Sequence, residues 1–219
     1  MGIFSFIKES IQAGYEEAQE EHNQEVASYL QIKDSPVTAE KRALALACPF
    51  RKVLISSKMG GFSPHLYKLG VLDEKEKEST KKLLQRDLDI TDMESLHQNT
   101  MNVILQLFAE LENDEAGDKE VLFDLLVAAA SIDLYAITAG IDVGYVTWEE
   151  MSPHITMLME VVLKQSDTHS WQQFGERFLR GERELGFNNA LGRKLLESRV
   201  EWLLQDEESP WINIQWEEL

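Results

Sequence analysis

The sequence predicts an all-α protein: a single compact multi-helix domain with an amphipathic N-terminal helix and an extended, tryptophan-containing C-terminal tail. Three observations carry this. Apolar residues recur at helical spacing along most of the chain, and period-two alternation of valine, isoleucine and aromatic residues is scarce. Capping signatures stand in front of several apolar runs. Five prolines and twelve glycines are few for 219 residues, and 43% of the residues are hydrophobic, which is ample for a core.

Taken in order, Ile3, Phe4, Ile7, Ile11, Tyr15 and Ala18 make one apolar stripe opposite Glu9, Glu16, Glu17, Glu20 and Glu21. Residues 1–34 therefore read as an acidic amphipathic helix. Its stripe either docks on the domain or grips a partner protein. A membrane-surface helix would carry Lys and Arg on its polar side. Asp34-Ser35-Pro36 marks a break, and residues 38–219 form the main helical domain. Thr38 is placed to cap a helix running through Arg42 and Leu46 toward Cys48, where Pro49 disturbs or ends it. Met59-Gly60-Gly61-Phe62-Ser63-Pro64 has the chemistry of a loop.

Segment 73–86 mixes both charges, with Asp73–Lys77 and Glu78–Lys82 at the favourable i,i+4 spacing and Leu83, Leu84 and Leu88 as its inner edge. Thr91 with Glu94, Thr147 with Glu150 and Ser170 with Gln173 each fit a capping box. The first opens a helix through Leu105, Leu107, Phe108 and Leu111 that stops near Asn113-Asp114 and Gly117. Segment 121–139 is apolar nearly all round, which predicts a central buried helix, with Gly140 and Gly144 at its exit. The second box opens a helix with Ile155, Leu158, Met159, Val162 and Leu163, and the third a helix with Trp171, Phe174, Phe178 and Leu185. A last helix over 190–204 precedes the tail, read as an extended strap whose Trp211 and Trp216 fill gaps between helices.

These landmarks carry a resemblance. In order they are Arg42-Ala43-Leu44-Ala45-Leu46, then 84–91 with its Arg86-Asp87-Leu88 centre, then Asp133-Leu134. Next come Gly144-Tyr145-Val146-Thr147-Trp148-Glu149-Glu150, Ser170-Trp171-Gln172-Gln173-Phe174, Arg180-Gly181, and Ser209-Pro210-Trp211 followed by Trp216. From about residue 40 to its last residue the chain resembles the bacterial family known as domain of unknown function 1266. The resemblance implies a helical fold and no agreed activity. Two departures stand out: Ala136 and Glu182 occupy positions where members often carry arginine. A polar site built on those arginines would be altered here.

Charge and chemistry narrow the function. There are 39 acidic residues against 21 basic, a formal net charge of −18. Such a field repels phosphate backbones and anionic lipid, so neither a nucleic-acid nor a membrane partner is expected. It steers basic proteins in. The lone Cys48, in an apolar setting, reads as a buried inert thiol and fits a reducing, cytoplasmic location. Residues 1–8 lack the basic start and long apolar run of a signal peptide. Phe6 stands where N-myristoylation needs Ser or Thr. No window comes near the roughly 18 consecutive apolar residues of a membrane span.

No catalytic motif, cofactor fingerprint or metal-ligand spacing is present. Glu150 and His154 are i,i+4, but capping occupies Glu150, and Pro153 points to the first turn. The best candidate polar site is Asp133, which interrupts the most apolar helix, with Arg177, Arg180 or Arg183 as its ion-pair partner. Two function classes result. One is a non-enzymatic acidic protein that binds a basic protein, specifically an immunity protein neutralising a toxin or effector. The alternative is an enzyme of unknown reaction using carboxylates near Asp133.

Overall fold

The computed structural model of the protein describes residues 3–51, 63–111 and 118–219, with residues 3–17 described by backbone alone. The chain runs through α1 (Ile3–Lys33), α2 (Ala39–Arg51), a 3-10 turn (Pro64–Leu66), α3 (Glu74–Leu88), α4 (Met93–Asn99) and α5 (Asn102–Leu111). It continues through α6 (Lys119–Asp142), α7 (Trp148–Glu160), α8 (Trp171–Leu185), α9 (Ala190–Gln205) and α10 (Pro210–Asn213), and closes on a 3-10 turn (Trp216–Glu218). The protein is all-α, one compact domain, and the described residues contain no strand.

Helix α6 is the axis, as its composition requires. It packs most extensively on α8, next on α2, and also on α3, α5 and α7. Gly181 of α8 lets the two most extensively packed helices come close. At the α6–α8 crossing a Cβ on Gly181 would lie 1.9 Å from the carbonyl oxygen of Asp124, so only glycine fits. By length and composition α6 could cross a membrane, although Asp124, Ser131 and Asp133 interrupt its apolar run. Its most apolar window is 78% buried inside the domain, so the apolar surface is already covered by protein.

Helix α2 does not end at Pro49 but continues to Arg51. Proline at 49 cannot donate to the carbonyl of Ala45. The indole Nε1 of Trp211 donates to that oxygen at 2.8 Å instead, and Ser131 Oγ donates to the neighbouring Leu46 carbonyl at 2.8 Å. A side chain from α10 thus replaces the bond that the proline removes, and one from α6 adds a second tie beside it. Pro153 likewise lies in the second turn of α7, not the first, and Ser152 Oγ donates to the Glu149 carbonyl at 3.3 Å. Helix α7 then widens into a π segment over Val161–Gln165.

Several caps fall where expected and others move. Thr38 Oγ1 accepts from the Lys41 amide, and Thr147 with Glu150 forms a full box. Ser170 accepts from the Gln173 amide, but the Gln173 side chain accepts from His169 rather than returning to the cap. The box before α4 is Asp92 with Ser95, not Thr91 with Glu94. The expected Asp73–Lys77 and Glu78–Lys82 pairs are replaced by Glu74–Lys77 at 2.8 Å and Glu78–Lys81 at 3.0 Å. Asp73 serves as the cap of α3, paired in a box with Glu76. The helix expected across 94–111 is two helices, broken at Thr100 and Met101, where Met101 adopts φ +74°. The expected stop at Asn113-Asp114 and Gly117 and most of the loop at 59–64 lie outside the described residues, as do the side chains of the stripe on α1 up to Tyr15; Ala18 is exposed.

The tail is not an extended strap. It is the short helix α10 and a 3-10 turn, folded against α8. Trp211 stacks on Trp171 with centroids 5.0 Å apart and planes 9° apart, and Trp216 meets Trp171 edge-on at 5.0 Å. Trp171 Nε1 donates to the Ile214 carbonyl at 2.7 Å. Helix α1 is tied to this same tail: Tyr29 donates to Glu208, and Lys33 Nζ donates to the Glu207 carbonyl and pairs with Glu208 at 3.1 Å.

Candidate functional site

The expected polar site does not assemble. Arg177 and Arg180 converge on Asp124, not on Asp133. Arg180 grips Asp124 with both Nε (2.5 Å) and Nη2 (2.9 Å), and Arg177 Nη1 reaches the same carboxylate at 3.1 Å. Arg177 Nη1 also donates to Glu120 at 2.9 Å, and its guanidinium lies 5.4 Å from the Phe123 ring centre. Two arginines facing two acids make a neutral clamp across the α6–α8 interface. Arg183 goes elsewhere, to Glu197 at 3.5 Å. The cause is spacing. Asp124 and Asp133 are nine residues apart, about 14 Å and about two and a half turns along a helix, so they lie on opposite faces and the patch on α8 reaches only one of them.

Asp133 instead accepts the Met101 backbone amide at 2.8 Å, pinning the break between α4 and α5 to α6. The Met101 carbonyl in turn accepts from Leu105, the first turn of α5. Burial pushes the Asp133 carboxyl up to about 7, and the Met101 amide pulls it only part of the way back.

The remaining positions singled out in the sequence are occupied by structure. Gly144 adopts φ +79° in the turn after α6, beside the half-buried Tyr145. Glu149 is exposed, and Glu150 is held by the cap at Thr147. Ser170 caps α8, and Pro210 opens α10. Trp171, Trp211 and Trp216 form the aromatic lock. Cys48 is buried. His154 lies against His97, with ring centres 6.2 Å apart, and no group of three or more His, Cys, Asp or Glu able to hold a metal is found among the described residues. Glu182, at one of the departures from the family pattern, is buried and accepts from the Asn188 amide at 2.8 Å, bracing the turn into α9.

Two features escaped the sequence reading. Arg51 and Asp142 form a fully buried pair at 2.6 Å. Arg51 also donates to the His65 carbonyl, and Asp142 accepts from the Gly70 amide, so the pair joins α2, α6 and the turn between α2 and α3. The second is a cleft of about 270 Å³ between α2, α3, α6 and α9. Phe50, Tyr135 and Phe187 line it, with Arg86 and Arg199. Phe50 stacks on Tyr135 at 5.7 Å and meets Phe187 edge-on at 5.5 Å. Arg86 is neutralised by Asp87 at 2.5 and 2.6 Å. Arg199 has no hydrogen bond or ion pair among the described residues, and burial pulls its guanidinium below its ordinary value. Burial pushes the Tyr135 hydroxyl up to about 12. A row at Leu191, Leu195 and Arg199 on one face of α9 was the available sequence signal.

No family model, no curated protein and no solved structure matches this chain.

Proposed function

We propose that this is a non-enzymatic binding protein of the cytoplasm whose acidic exterior captures a basic protein, in the specific form of an immunity protein that neutralises a basic toxin or effector. The supporting observation is where the charge lies. Of the buried acids, Asp124 and Asp142 are matched by arginines, Glu182 braces a turn, and Asp133 holds a backbone amide. Every other acid among the described side chains is exposed or half-buried. Along α1, Glu20, Glu21 and Glu25 are exposed and form no ion pair among the described residues. Such a surface accelerates encounter with a cationic partner. Membership in the domain of unknown function 1266 family is part of the same reading and rests on its ordered motifs.

The test is co-expression with each toxin-like gene adjacent to this one in its genome. Rescue of growth, with an association rate that falls steeply as salt rises, is expected. Failure to rescue against every such neighbour removes the immunity reading. The enzyme alternative draws on one observation, a carboxyl at Asp133 that titrates in the range of a general acid or base. It gains if Asp133→Asn abolishes a cellular phenotype while the circular dichroism spectrum is unchanged and the melting temperature does not fall.

A further inference from the structure

We propose that the cleft between α2, α3, α6 and α9 is a binding site for a small aromatic monocarboxylate, held by Arg199 and the Tyr135 hydroxyl over a floor formed by Phe50 and Phe187. The charge pattern points there first. Arg199 is half-buried with neither a carboxylate nor a carbonyl as partner among the described residues, whereas the half-buried Arg42 and Arg193, which also lack an acidic side chain, donate to the backbone oxygens of Leu219 and Asn188. The buried arginines of this protein, Arg51 and Arg177, do have acids, Asp142 and Asp124. Arg199 is drawn out of water with no acid beside it, and that cost is recovered if an anion arrives.

The second polar group is Tyr135. It is 5% exposed, lines the cleft, and its hydroxyl has no hydrogen-bond partner among the described residues. A phenol held this far above its ordinary value stays protonated and donates. Tyr135 and Arg199 lie close enough to perturb each other's ionisation. Together they offer a planar fork and a hydroxyl donor to one carboxylate.

The rim decides the charge of the ligand. Arg86 is already neutralised by Asp87, so the cleft holds one uncompensated positive charge, and Asp87 at its edge disfavours a dianion. The walls decide the rest. Phe50 and Phe187 meet edge-on, and the half-exposed Leu195 forms an apolar lip. A cleft of about 270 Å³ is at the small end for ligand pockets, the size of a one-ring molecule.

Calorimetric titration of the full chain with phenylacetate, phenylacetamide and phenyl phosphate tests this. Phenylacetate is expected to saturate one site, with phenylacetamide at least about tenfold weaker. Arg199→Met should weaken phenylacetate by at least about tenfold. Leu195→Glu, at an exposed position that does not threaten folding, should weaken it in the same direction by placing a like charge at the lip. Lys164→Met, on the distant π segment, should leave it unchanged. Absence of saturable phenylacetate binding, equal binding of the amide, or unchanged affinity in the Arg199→Met protein overturns the site. Tighter binding of phenyl phosphate overturns the monocarboxylate assignment.

Discussion

Asp124 and Asp133 sit on the same helix, nine residues apart, at 5% and 8% exposure. Their fates differ. Asp124 faces α8 and is met by two guanidinium groups. Asp133 faces the break between α4 and α5 and is met by one backbone amide. At the first, paired guanidinium groups offset the cost of burying a carboxylate. The second is held in an environment that favours its neutral form. Burial does not by itself say what a carboxylate does. What faces it does.

Removing one partner of the matched site should have the largest effect. Asp124→Ala leaves the buried Arg177, 3% exposed, with only the exposed Glu120 as its acid, and is expected to lower unfolding stability by roughly 3 kcal/mol in urea titrations. A loss under about 1 kcal/mol would mean that the two sites are not different in kind.

Asp133 should behave in the opposite sense. Its folded value is raised from 3.8 to about 7, so the folded state holds a proton that the unfolded chain has released. The associated stability is fully present below about pH 4 and is lost as pH rises through 7. At about 1.36 kcal/mol per unit, the loss by pH 8 is at most roughly 4 kcal/mol. Asp133→Asn keeps an acceptor for the Met101 amide and removes the ionisation. The difference in stability between it and the native protein should grow in favour of Asn from pH 4 to 7 and then level off. A difference that is flat with pH would assign Asp133 an ordinary titration.

A third contrast concerns a backbone group. The Ala45 carbonyl is matched by Trp211 only because Pro49 leaves it vacant. Trp211→Phe keeps much of the ring and removes the donor, at an expected cost of about 1–3 kcal/mol. In a Pro49→Ala background the helix supplies its own amide, and the same change should cost measurably less. Additive costs in the double-mutant cycle would show that the indole and the proline are independent. The smallest effect is Thr147→Ala at the α7 cap, about 1 kcal/mol in thermal unfolding, since this site is local and exposed.

Much of the fold was legible because it is written in local periodicity. The apolar run at 121–139 could only be a central helix, and Thr38, Thr147 and Ser170 cap the helices that follow them because their chemistry acts within three residues. What escaped was whatever depends on a neighbour remote in sequence. Pro49 was expected to stop α2, and it does not, because Trp211 lies 162 residues away in the chain and against it in space. Thr91 and Asp92 both offer oxygens to the start of α4, and the cap falls to Asp92 with Ser95, a one-residue choice that composition does not make. Arg177 and Arg180 were assigned the wrong acid: nine residues are about two and a half helical turns, so Asp133 lies on the face of α6 opposite Asp124 and away from α8. The pairing of Arg51 with Asp142 and the cleft at Arg199 are products of the same remote packing.

By itself the sequence determined an all-helical chain, the identity of its central helix, the caps at Thr38, Thr147 and Ser170 and the sign of its net charge, because each of these follows from the spacing of side chains along one helix or from a sum of charges. The tertiary structure alone decided which buried charges are matched, which proline is tolerated and that Arg199 is left without a hydrogen-bond partner among the described residues. Those outcomes depend on the register at which helices cross, and register is set by the packing of residues that are far apart in the chain.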